Sequence, residues 1–253
     1  MFSTRYWEAV ARWISIPVFL IIWEEVVRAG VVNAILFPPP TVVAVAMLDY
    51  AKSGNLISDI GWSLSRIIVG FVAGAAAGIG MGVLTGGSRI VSALFTPIFQ
   101  MLRPIPPIAF VPIVIVWFGL TELGKWFLVF WGVFFTVWLS AHHGVQRVNP
   151  TLVRAAQCLG ANKHQLLLEV MLPDALPYIF MGLRTAISIS FYTLVAAELD
   201  GAYAGIAYRL EVTQQNMQID HMIAGLVLLG LISTIADRLF GVFSAKVVHW
   251  QAA

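Results

Sequence analysis

Few residues of this 253-residue chain are of types that do chemistry, and the nearest approach to a catalytic motif fails on inspection. The run from Gly119 through Gly124 to Lys125 has the spacing of a loop that cradles phosphates with backbone N–H groups and a lysine. Trp126 stands where such a loop needs a magnesium-binding Ser or Thr, and no strand precedes it, so nucleotide binding there is rejected. His142 and His143 are adjacent, point to different helix faces and lack a third metal ligand. The single cysteine, Cys158, permits no internal disulfide and is too little for structural zinc. No Ser/His/Asp grouping and no suitably spaced pair of intramembrane carboxylates supports an enzyme. What remains is electrostatic: Arg103, Arg184 and Glu198 interrupt long apolar stretches, where a charge is costly and faces a partner or a wet path.

The elements that position these charges follow from composition. The chain is 59% hydrophobic and 11% charged, with mean hydropathy +0.86, against about 45–50% apolar and about 25% charged for an ordinary soluble domain. A soluble globule could not cover that much apolar surface, so the bilayer is its solvent. Disorder is excluded by the same hydrophobicity. A net charge of +2 without a basic run gives no track for a nucleic-acid backbone. The N-terminus shows no apolar core followed by a small-residue cleavage site, so the first hydrophobic stretch is read as an anchor.

A spanning helix needs about 20 mostly apolar residues, and about six segments qualify: 13–32, 64–84, 90–119, 124–141, 175–197 and 221–243. The acids Glu24 and Glu25 sit awkwardly near the end of the first. Pro38, Pro39 and Pro40 then force an extended break, and 41–55 reads as a short amphipathic helix on the surface. With a cytoplasmic N-terminus, Arg5, Arg12, Arg89, Arg147, Arg154, Lys163, Arg238 and Lys246 fall inside, while the outer cations are fewer and mixed with acids. Both termini and the 141–173 connection are therefore expected in the cytoplasm.

The second span carries Gly70, Gly74, Gly78, Gly82 and Gly86 on one face, a spacing that lets two helix backbones approach closely. A tight seam is favoured over the general abundance of glycine in spans. The third span is broken by Arg103-Pro-Ile-Pro-Pro107 and again at Pro112. Arg103 lies about 13 residues, roughly 20 Å at about 1.5 Å per residue, from the inner end. Broken helices at mid-depth mark transport paths; the alternative is a structural arginine tied to carbonyls that the prolines release.

The inner connection, 149–173, reads as two short helices around a turn. Asn149-Pro150 starts the first, Gly160 ends it, and Pro173 closes the second, making a knob that fits a groove on a soluble partner. This segment resembles the EAA loop of the permease subunits of ATP-binding-cassette importers: Glu-Ala-Ala, three residues, Gly, nine residues, Ile-x-Leu-Pro. The match falls on Ala155, Ala156, Gly160, Val170, Leu172 and Pro173, with both spacings intact and Arg154 in place of the leading Glu. Phe37-Pro-Pro-Pro40, Ser63-Leu-Ser-Arg66, Arg103-Pro-Ile-Pro-Pro107, Trp117-Phe-Gly119, Gly182-Leu-Arg184 and Val195-Ala-Ala-Glu198 resemble the taurine, alkanesulfonate and nitrate branch. After Glu198 that branch has a Gly-Leu-Gly turn, where this chain has Ala204-Gly205-Ile206-Ala207.

The resemblance implies an all-α membrane protein with the type I importer permease fold, residues 1–253 forming one permease domain in the inner membrane. It implies a second permease copy, two cytoplasmic ATPase subunits that bind ATP and Mg, and an extracytoplasmic substrate-binding protein. No cofactor or metal is expected on this chain. The loop residues Arg154, Ala155, Ala156, Gly160, Leu172 and Pro173 would dock on the ATPase; Arg103, Arg184 and Glu198 are candidates for the solute path. A self-contained secondary transporter or channel is the alternative, disfavoured because the two halves show no convincing inverted repeat, and a purely structural membrane subunit leaves the broken third span unexplained.

Overall fold

The computed structural model describes residues 2–199 and 201–249, with side chains from Ile14 onward. Among these the chain is helical. Helix α1, Phe2–Arg28, leads through the proline break to α2, Pro40–Lys52. Then come α3, Asn55–Gly87, α4, Arg89–Leu102, and α5, Val111–Phe118. Helix α6, Glu122–Gln146, leads to the short helices α7, Pro150–Cys158, and α8, Lys163–Gln165. Helices α9, Leu172–Leu199, α10, Ile206–Gln215, and α11, Ile219–Val247, complete the chain.

Helices α3, α6 and α11 and the continuous stretch Lys163–Leu199 are each long and apolar enough to cross a membrane, and the pair α4–α5 makes a fifth crossing if counted as one span. Helix α1, matching the first expected span, is outside that count, and the side chains of its residues 2–13 lie outside the described ones. The acids that looked awkward there have a structural use. Thr41 donates from its backbone N and from Oγ1 to the Glu24 carboxylate, at 3.1 and 2.8 Å. Glu24 thus caps α2, whose own preceding residue, Pro39, makes no side-chain cap.

The centre of the bundle is α3 against α6. An added Cβ at Gly70 would meet Val129, at Gly74 Val133, at Gly78 Val137, at Gly82 Ala141 and at Gly86 Val145. Positions rise together along both helices, so the two are parallel. The segment between them must therefore return the chain from one end of the bundle to the other, and α4–α5 is that return. It bends by 88° at Arg103–Pro106, where successive prolines remove the N–H groups that would continue a helix. Helix α9 packs antiparallel on the other side of α6, with Gly132 against Thr193 and Gly144 against Tyr178.

The glycine seam is internal to one chain, so it gives no support to a contact between two copies. At Gly78 an added Cβ would lie 2.8 Å from the Phe134 carbonyl oxygen and 3.0 Å from the Trp138 amide nitrogen. Both are backbone, so the helices would have to separate. Gly78→Ala is expected to destabilise the protein by about 1–3 kcal/mol. Gly80, in the same helix with nothing within 4 Å of an added Cβ, is the control: Gly80→Ala should be neutral or stabilise by about 0.5–1 kcal/mol. Thermal unfolding in detergent compares the two, and equal effects would contradict the seam.

Candidate functional site

The chemistry-bearing residues fall into three places: one at each end of the bundle and one at the break between α4 and α5. At the end formed by α2 and α10, the face of α3 that carries the glycines continues upward as Ser63, Arg66 and Asp59, all buried. Arg66, 0% exposed, donates from Nη1 to Glu198 Oε1 at 2.8 Å and from Nε and Nη2 to the two oxygens of Glu122 at 2.7 and 2.8 Å. Lys125 adds a bond to Glu122 at 2.7 Å. Asp59 accepts from Arg209 and from the Tyr50 hydroxyl. Burial, then the Asp59 carboxylate, push that phenol well above its ordinary pKa, so it donates as the neutral group.

The same network starts α10. Gly205 N donates to Asp59, Ile206 N to Ser63 and Ala207 N to Glu198, at 3.0, 2.9 and 2.9 Å. The first N–H groups of that helix, buried and without an intrahelical partner, are thus satisfied by α3 and α9 rather than by its own sequence. Gly205, at φ +135°, wraps the Glu198 carboxyl so closely that a Cβ would sit 2.5 Å from it. The chain needs glycine at 205, where it folds over the carboxylate. Glu198 is therefore inside the protein, 0% exposed and bonded on every side, rather than on a surface or lining an opening.

At the other end lies the 149–173 connection. The Asn149 side chain accepts from Thr151 N and starts α7. Gly160 turns the chain at φ +84°, and Asn162 with Gln165 forms a capping box at α8. Leu159 projects at 90% exposure, with Leu152 and Leu168 also exposed, beside a cleft of about 310 Å³ lined by Ala156, Gly160, Gln165 and Glu169. Arg154, Ala155 and Lys163 are exposed. Leu172 and Pro173 are half-buried at the start of α9, preceded by a turn of π-helix at Leu166–Met171. Nothing in the linear pattern points to this turn. It lies where Pro173 cannot donate to the preceding helical turn. The second half of the knob, from Lys163, and the spanning helix α9 are thus one continuous element.

Arg184 does not meet Arg103. Its guanidinium forms a two-pronged pair with Asp237 of α11, both bonds 2.8 Å. Asp237 lies at the end of the sixth expected span, and only the fold brings it to Arg184. Arg103 sits at the α4–α5 bend, exposed and with no hydrogen-bond or ion-pair partner among the described residues. It lies between a cleft of about 220 Å³, lined with Trp131, Thr136 and Tyr192, and one of about 550 Å³, lined with Gln100 and His143. Helix α9 exposes Thr185, Ser188 and Tyr192 along one face, and α6 contributes Thr136 and His143 to the two clefts, while Ser140 packs against Gly182 of α9. A polar stripe on a spanning helix is disfavoured against lipid and favoured against water.

Comparison with known proteins gives consistent results. Residues 74–249 match the family described as binding-protein-dependent transport system inner membrane component. The chain is 32% identical over 234 residues to a putative aliphatic sulfonates transport permease protein of Bacillus subtilis, covering 92% of this chain and 85% of the relative. It is 32% identical over 242 residues to the taurine transport system permease protein of Escherichia coli, covering 94% and 88%. Among solved structures, a chain of the MetNI methionine ABC transporter in an inward-facing conformation aligns with TM-score 0.64 at 20% identity, covering 80% of this chain and 99% of that one.

Proposed function

Because this chain belongs to the binding-protein-dependent transport system inner membrane components, we propose that it forms the membrane passage for a taurine-like or sulfonate-like solute, nitrate and other small organic solutes being the alternatives. It is the permease subunit of an ATP-binding-cassette importer for small anionic solutes. In our reading it works as a pair of copies in the inner membrane, with both termini cytoplasmic as the Lys and Arg distribution favours. Two ATPase subunits hold ATP and Mg, and a binding protein delivers solute from outside.

The observation that carries this reading is the exposed 149–173 knob, whose second half runs from Lys163 without a break into α9. ATPase subunits that close on ATP displace the knob, and α9 carries that displacement into the bundle, where the polar faces of α6 and α9 line the passage. Such an element couples two distant events as one body. Of the three charges expected on the path, Arg103 is kept: Glu198 and Arg184 are engaged by Arg66 and Asp237.

The test is reconstitution. Proteoliposomes holding the permease, its ATPase and its binding protein should accumulate radiolabelled taurine or ethanesulfonate only with ATP inside the appropriate compartment. The permease alone should move neither. Accumulation by the chain alone, driven by an ion gradient, would replace this reading with a secondary transporter.

A further inference from the structure

The 220 Å³ cleft beside the α4–α5 bend is unusual for what its walls offer. Arg103 contributes a guanidinium, which only donates, and no carboxylate lines this cleft or its neighbour. Elsewhere in the bundle Arg66, Lys125 and Arg184 each meet a carboxylate. Trp131 also lines the cleft, but its Nε1 is fully buried and does not open on it. The Tyr192 hydroxyl belongs to an exposed side chain there and has no hydrogen-bond partner among the described residues. Thr136 has already given its proton to the Gly132 carbonyl at 3.0 Å. Phe135 and Ile189 complete an apolar wall.

Uncommitted donors, one full positive charge and no acceptor of opposite charge describe a site for an oxyanion. The volume is below the roughly 300–1,000 Å³ of pockets for drug-sized ligands and suits a solute of a few heavy atoms. We propose that this cleft holds the oxyanion group of the solute, a sulfonate or carboxylate, in passage, with Arg103 supplying charge and Tyr192 O–H a hydrogen bond. The proposal rests on the permease reading for its solute, but the electrostatic character of the cleft can be tested apart from transport. Arg103 makes the site selective, because a cation is repelled.

The experiment uses the assembled transporter with Cys158→Ser, which removes the single native cysteine. A probe cysteine is placed in the cleft as Ile189→Cys, or as Thr136→Cys in a second series. Each is treated with two thiol reagents of similar size, ethylsulfonate methanethiosulfonate and its trimethylammonium counterpart. With Arg103 present, the anionic reagent should be favoured relative to its behaviour with free thiol, and millimolar ethanesulfonate, unlike choline, should slow it. Arg103→Gln should lower the anionic-to-cationic rate ratio by about fivefold or more, the loss of one nearby unit charge at an effective dielectric above the protein's own. Arg103→Lys should keep most of the ratio, and Tyr192→Phe should keep the ratio while weakening protection by ethanesulfonate. An unchanged ratio in Arg103→Gln, or probe cysteines inert to both reagents at both positions, would overturn the proposal. If the charge preference holds while ATP fails to drive uptake by the parent transporter, the permease reading fails and the anion cleft stands.

Discussion

Arg66→Met is expected to lower the stability of this protein by about 3–5 kcal/mol, the cost of breaking a buried ion pair by removing one partner. Arg66 is fully buried, and its bonds reach Glu198, Glu122 and the Ala204 carbonyl, so one side chain joins α3, α6, α9 and the turn into α10. Its removal leaves the Glu198 carboxylate, also fully buried, with only Ser63 Oγ and Ala207 N as donors. Arg66→Lys keeps the charge but not the planar fork that holds both oxygens of Glu122, so an intermediate loss is expected. The double variant Arg66→Met/Glu198→Leu should recover a large part of the stability, because it removes both charges together. Thermal unfolding of the detergent-solubilised protein, followed by the fluorescence of its nine tryptophans, measures all three. Equal midpoints for Arg66→Met and the parent would show that the network is slack.

That network was only half legible in sequence. The motifs Ser63-Leu-Ser-Arg66 and Val195-Ala-Ala-Glu198 stood out as a family resemblance, yet nothing in a linear reading joins them. In the fold they meet, with Ser63 and Arg66 both bonded to Glu198. What could have pointed to it is periodicity: Asp59, Ser63, Arg66, Gly70 and Gly74 follow one helix face, so the polar residues lie on the same buried side as the glycines. The spans and the 149–173 loop were readable because apolar length and turn spacing are local properties. Partnerships across the bundle were not. Arg184 looked like a charge facing a path until α11 brought Asp237 to it, and Glu24 looked like a misfit until α2 needed a cap. The glycine stripe revealed a close approach but not its partner, because small residues at four-residue spacing suit α6 of the same chain as well as another copy.

Gly160→Trp should abolish solute-stimulated ATP hydrolysis in the assembled transporter, a loss of at least tenfold, while the chain still inserts and folds. Gly160 has φ +84° and nothing within 4 Å of an added Cβ, so a side chain can leave the backbone there without a clash at its base. It costs only the backbone strain of a left-handed conformation, about 1–2 kcal/mol for an ordinary residue. The indole would project beside Leu159, the most exposed large apolar side chain of the knob, into the space that a docked ATPase must fill. Residues at the packed centre of an interface cost about 2 kcal/mol or more when disturbed, and about 1.4 kcal/mol is tenfold in affinity. Gly160→Asn separates the two causes. Asparagine tolerates the left-handed region and is small, so it should keep most of the stimulation, whereas a loss in both variants would assign the effect to the turn rather than to the dock. Stimulated hydrolysis measured on permease, ATPase and loaded binding protein together gives the answer, and normal coupling in Gly160→Trp would remove the knob from the ATPase interface.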